Sequence, residues 1–275
     1  MSTNTKIAYN RAQFPLLTLL HPREQSGLLA GTLTAGLLVG WWGMNRLDWP
    51  LWIATATVLA FLLTSSVLKW QADKRRYGPT AMGVSALVVL QGFHVIEHIV
   101  QWFQYHTLNW SLRASSGLLS PANAEWVHFV WNWMVMLIVL LLVWGGMRNR
   151  WAWLLLIWAM AHGLEHTYMF VRHLEVLDEL HRLGVTTVTA QGLPGILGRD
   201  GWLALSNVTR GTFISRLPGL ATATRLDIHF WWNIGETTWL ILAANTFMRD
   251  ILSSRASRLA SPAAPGPTMA DVLQS

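Results

Sequence analysis

The chain contains no cysteine, which rules out disulfides, thiolate metal sites, iron–sulfur clusters and covalently attached c-type haem. Any metal it holds is bound through nitrogen and oxygen. Charge is scarce as well: 12% of the residues are Asp, Glu, Lys or Arg against 52% hydrophobic ones, a balance outside that of soluble globular domains. The mean hydropathy of +0.33 points the same way, and the class that follows is an all-α integral membrane protein. The first residues lack the compact apolar stretch and small-residue cleavage site of a secretory signal, so the first apolar run is expected to stay in the protein.

What is present is a series of apolar runs near the length of about 20 residues that a helix needs to cross a bilayer. They lie near 27 to 45, 50 to 70, 79 to 104, 124 to 146, 150 to 174 and 226 to 249, and predict six transmembrane helices. Gly31, Gly36 and Gly40 dilute the first. Basic residues set the expected orientation: Lys6, Arg11 and Arg23 precede the first run, Lys69, Lys74, Arg75 and Arg76 close the second, and Arg148 and Arg150 separate the fourth from the fifth. Arg249, Arg255 and Arg258 follow the sixth. Both termini are therefore expected in the cytoplasm, in a bacterial inner or plasma membrane. Trp41, Trp42, Trp49, Trp52, Trp102 and Trp126 at one level, and Trp70, Trp144, Trp151 and Trp153 at the other, read as interfacial belts. The net charge of +6 is explained by this asymmetry and calls for no nucleic-acid partner.

The expected division is an N-terminal segment (1–26) with RAQFPLLTLLHP on the cytoplasmic surface, two peripheral helices (27–78), a four-helix bundle (79–249) and a disordered tail (250–275). An outer loop of about 175–225 mixes β-branched residues with Gly and Pro, and is expected to fold over a site or to dock a partner.

The chemistry lies in a repeat. His94, Glu97 and His98 form H-x-x-E-H on the third predicted helix, and His162, Glu165 and His166 repeat it on the fifth. The helix after each copy carries H-F-x-W-N: His128 with Asn132, and His229 with Asn233. Helices 3–4 and 5–6 thus read as a duplicated hairpin, the topology of parallel repeats about an axis along the membrane normal. Positions i, i+3 and i+4 share one helical face, so each triplet is a polar stripe, and all four stripes are expected to meet in the outer leaflet.

A charged group at a helix centre costs about 2.5 to 3.5 kcal/mol on insertion scales, a heavy penalty if Glu97, Glu165 and Glu236 serve packing alone. A bound cation offsets it. Eight side chains exceed the needs of one zinc, so His94, Glu97, His98, His128, His162, Glu165, His166 and His229 are the candidate ligands of two metal ions, with Asn132, Asn233 and Glu236 orienting them from behind. Iron or copper is favoured, and zinc also suits the donors. H-x-x-E-H resembles the inverzincin protease motif, yet a protease needs one copy. Haem ligation by facing histidines would leave the repeated Glu without a task.

The expected function is oxidative chemistry at a dinuclear site near the extracytoplasmic face, acting on an apolar or membrane-associated substrate, with the bilayer and a redox partner or other membrane subunits as partners. Two rivals are a metal carrier or transporter and a non-catalytic subunit of a larger membrane complex. A self-satisfied polar network that glues the helices is the structural alternative.

Overall fold

The computed structural model describes residues 14–187 and 192–260. Among these residues all regular structure is helical: α1 Ser26–Arg46, α2 Leu51–Tyr77, α3 Pro79–His106, α4 Glu125–Trp144, α5 Arg150–Arg182 and α6 Arg225–Ala260, with short helical turns between them. Each expected run has its helix, but several are longer than hydropathy indicated. α5 continues past 174 to Arg182, and α6 past 249 to Ala260. The first part of the expected disordered tail is therefore helical, because nothing in residues 250–260 breaks a helix. Pro262, where that could change, and all of 261–275 lie outside the described residues.

Among the described residues, four helices are long and apolar enough to cross a membrane: α1, α2, α3 and α4. Their outward faces are greasy. Leu37, Leu38, Trp41 and Trp42 of α1, Leu63 and Leu68 of α2, and Val130, Leu137 and Leu141 of α4 are all exposed, the inverse of a water-soluble surface.

Local sequence explains the helix ends. Gly78 adopts φ +96°, a conformation closed to side-chain-bearing residues, and ends α2; Pro79 then starts α3 at once. Asn149 caps α5 by accepting from the amides of Trp151 and Ala152, both at 3.1 Å, and its Nδ2 donates to the Ala243 carbonyl on α6 at 2.9 Å.

α1 packs on α2, α2 also on α3, and α3 to α6 form a bundle in which α3 lies against α6, α6 against α5 and α5 against α4. The two helices carrying H-x-x-E-H therefore stand at opposite corners. The inner half of the bundle is an apolar core of Val84, Leu87, Val139, Leu142, Leu155, Leu240 and Met248 with their neighbours. The turn Leu16–Leu20, expected on the surface, inserts Leu16 and Leu19 into this core, and the Leu16 amide donates to Asn245 Oδ1 at 3.2 Å. Two leucines on one face with a polar anchor beneath them explain the change of place.

The glycines that dilute the first run hold it to its neighbour. Gly36, Gly40 and Gly43 are the buried residues of α1. A Cβ at Gly36 would sit 3.0 Å from Val58 Cα, and one at Gly40 would sit 3.3 Å from the Ala54 carbonyl oxygen, the close approach that small residues allow between helices in lipid. Gly31 faces open space. Gly40→Leu should therefore separate α1 from α2 and cost about 1 to 3 kcal/mol, read as a lower melting temperature with bundle helicity retained. An unchanged melt would show that α1 does not depend on this contact.

Candidate metal centre

α3 places His94 and His98 one turn apart, α5 does the same with His162 and His166, and α4 and α6 supply His128 and His229. All six rings form one connected cluster. Ring centres are 4.7 Å apart for His94–His98, 5.9 Å for His94–His128 and 5.7 Å for His98–His128. In the other hairpin they are 4.9 Å apart for His162–His166 and 5.0 Å for His166–His229. The hairpins meet through His98–His229 at 6.0 Å, His128–His166 at 5.2 Å and His128–His229 at 5.9 Å.

Corresponding side chains repeat their contacts. His94 lies on Trp131 at 5.0 Å and His162 on Trp232 at 5.2 Å. Asn132 Nδ2 donates to the His128 carbonyl at 2.9 Å, and Asn233 Nδ2 to that of His229 at 3.0 Å. Phe129 stacks on Phe170 and Phe230 on Trp102, closing the walls. Both asparagines thus brace the backbone under a histidine, and Asn233 also accepts from Gln91 Nε2 at 3.2 Å. Glu236 sits behind His162, its carboxylate 2.7 Å from the ring Nδ1.

Glu97 and Glu165 stand apart from the rings. The Glu97 carboxylate accepts from the amides of Leu118 and Leu119 at 2.8 to 2.9 Å. Glu165 Oε1 accepts from the Leu197 amide at 3.2 Å, and the Ile196 amide bonds the same carboxylate. Each motif carboxylate thus clamps an outer loop down on its own helix. Gly117 and Gly195 precede these amides, and a Cβ at either would collide with the carboxylate. Gly117 also needs φ +74°. The loop before α4 is held further by Gln104, which accepts from the Gly117 amide at 2.9 Å, and by Gln101 bonded to Asn123 at 2.7 Å.

These loop partners escaped the sequence reading, although a signal exists: Gly-Leu-Leu at 117–119 and Gly-Ile-Leu at 195–197 each follow a motif helix. Two further ties at this end join helices that sequence separates widely. Arg225 Nη2 donates to Glu125 Oε1 at 2.7 Å, and His106 pairs with Asp227 at 2.7 Å. His106 therefore has a task that its position at a helix end did not suggest.

The cluster is short of hydrogen-bond partners. His94 Nε2, His98 Nε2, His166 Nδ1 and His229 Nε2 are buried ring nitrogens with none, while the His128 ring lies against the Ala124 carbonyl. His229 Nδ1 faces the Arg225 carbonyl at 2.9 Å, which fixes its proton there and leaves Nε2 a bare lone pair. Among the described residues, no three His, Asp and Glu side chains are already closed around a point that would hold a metal ion. The rings are nevertheless near the required spacing, since imidazoles bound at about 2.1 Å around one tetrahedral ion have centres roughly 5 Å apart.

Compared with protein-family models, curated proteins and solved structures, the chain gives no significant match.

Removing a clamp should open its loop. Glu97→Ala leaves the Leu118 and Leu119 amides without their acceptor, a loss of about 1 to 3 kcal/mol per buried donor, so deuterium exchange at those amides should accelerate about tenfold or more. Unaltered protection there would assign the loop's anchoring to Gln101 and Gln104 instead.

Proposed function

We propose that this chain is a membrane metalloprotein with six spans, in which α3–α4 and α5–α6 are duplicated hairpins around a dinuclear centre near the extracytoplasmic face. The observation that carries the reading is the set of buried, unpartnered ring nitrogens within one six-histidine cluster. Each desolvated acceptor without a partner costs about 1 to 3 kcal/mol; cations bound there would satisfy them together. A polar network that glued the helices would instead satisfy its own members.

The six imidazoles are the ligands best placed for this task. Glu97 and Glu165 hold the loops that cover the site, and Glu236, Asn132 and Asn233 brace ligands from behind. α5 and α6 join the spans because their polar residues face inward: His162, Glu165, His166, His229, Asn233 and Glu236 are buried, while Trp153, Ile157, Met160 and Leu164 on α5 and Trp231 and Ile241 on α6 are exposed. Hydropathy averaged along a helix counts both faces alike.

The orientation follows from charge at the end opposite the histidines, where Lys69 donates to Ser85 and the Leu19 carbonyl, and pairs with Asp73. Arg23 and Arg255 lie over the Tyr77 ring at 5.1 and 5.0 Å. A basic end of this kind faces the cytoplasm, which puts the termini inside and suits a bacterial inner membrane.

A nitrogen-rich pair of iron or copper ions suits activation of dioxygen, and lipid-facing walls suit an apolar, membrane-borne substrate, with dioxygen as the oxidant. A metal transporter would need a polar path onward, whereas the inner half of the bundle is the apolar core.

Protein purified in mild detergent should carry about two metal ions per chain by elemental analysis. His128→Ala and His229→Ala should each lower that content while helicity persists. A folded, metal-free preparation with no affinity for iron, copper, zinc or manganese would overturn the proposal.

A further inference from the structure

The two halves of the cluster are not chemically equal. In the second half, Glu236 bonds His162 Nδ1 at 2.7 Å, which puts the ring proton on Nδ1 and frees Nε2. The His229 ring lies against the Arg225 carbonyl, as the His128 ring of the first half lies against that of Ala124, so the difference between the halves is Glu236. His162 Nε2 and His166 Nε2 hydrogen-bond to one another at 3.2 Å, a separation close to that of two nitrogens on one tetrahedral ion. A carboxylate behind a ligating imidazole also raises its basicity and adds negative charge near the ion.

In the first half, the position matching Glu236 is Val135, which lies 1% exposed in the apolar core. Among the described residues, no carboxylate hydrogen-bonds His94, His98 or His128.

We infer that the centre is asymmetric: His162, His166 and His229, backed by Glu236, form the tighter site and fill first, while His94, His98 and His128 form a weaker, neutral site that fills second. This rests on the metal-centre reading above, and Glu236 is its positioning residue. A first ion at +2 is partly offset by Glu236, whereas a second ion at His94, His98 and His128 meets no carboxylate of its own and the charge of the first. Both effects order the sites the same way.

The test is a zinc(II) titration of the full-length chelator-treated protein in detergent, read by competition with a chromophoric chelator and by the melting temperature at each equivalent. Wild type should bind in two steps at least about tenfold apart in affinity. Glu236→Gln should weaken the first step by about 10-fold to 100-fold and leave the second unchanged. His162→Ala should remove the tight step and His94→Ala the weak one. The wild-type titration decides the question even if a variant does not fold. Two ions bound with equal affinity, or a tight step lost in His94→Ala and retained in His162→Ala, would overturn the asymmetry and leave the metal centre standing. No zinc binding by folded wild type would overturn both.

Discussion

Six imidazoles inside a helical bundle must find partners without water, and this constraint organises the outer half of the molecule. An imidazole nitrogen left bare in an apolar setting is destabilising. The chain answers by fixing what it can through its own groups: Glu236 holds the His162 ring, the Arg225 carbonyl holds that of His229, and Asn132 and Asn233 bond the backbone carbonyls of His128 and His229. Several ring nitrogens are still buried without a partner.

Around that cluster the fold separates its tasks by level. Below it, Leu, Val, Met and Ala pack into an apolar core. Above it, two loops are pinned by Glu97 and Glu165, while Arg225–Glu125 and His106–Asp227 draw the starts of α4 and α6 and the end of α3 together. Most of the rings between them are buried, the condition under which electrostatic interactions gain strength. The same carboxylate that appears chemically active in a one-dimensional motif is thus part of the roof.

α1 and α2 stand outside this arrangement. Their contact runs through Gly36 and Gly40, where backbone meets backbone, and their remaining faces are turned outward with large apolar side chains. α2 reaches the bundle by packing on α3, and its basic end carries Lys69, which donates to Ser85 and to the Leu19 carbonyl and pairs with Asp73 on the same helix.

The sequence by itself determined the helical class, the positions of all six long helices and the meeting of the six histidines, because helix-length apolar runs and i, i+3, i+4 spacing are local properties that lipid and helical geometry convert directly into structure. It also singled out Glu236, which bonds the His162 ring, and Asn132 and Asn233, which bond the backbone carbonyls of His128 and His229. Tertiary structure alone decided where each carboxylate points. Glu97 and Glu165 share the face of their histidines, and spacing alone does not show that their carboxylates accept from backbone amides of loops distant in sequence. It likewise decided that the two motif helices occupy opposite corners and that Leu16 and Leu19 enter the core. Those outcomes depend on which helices touch, and contact between distant segments is set by the packing of the whole chain.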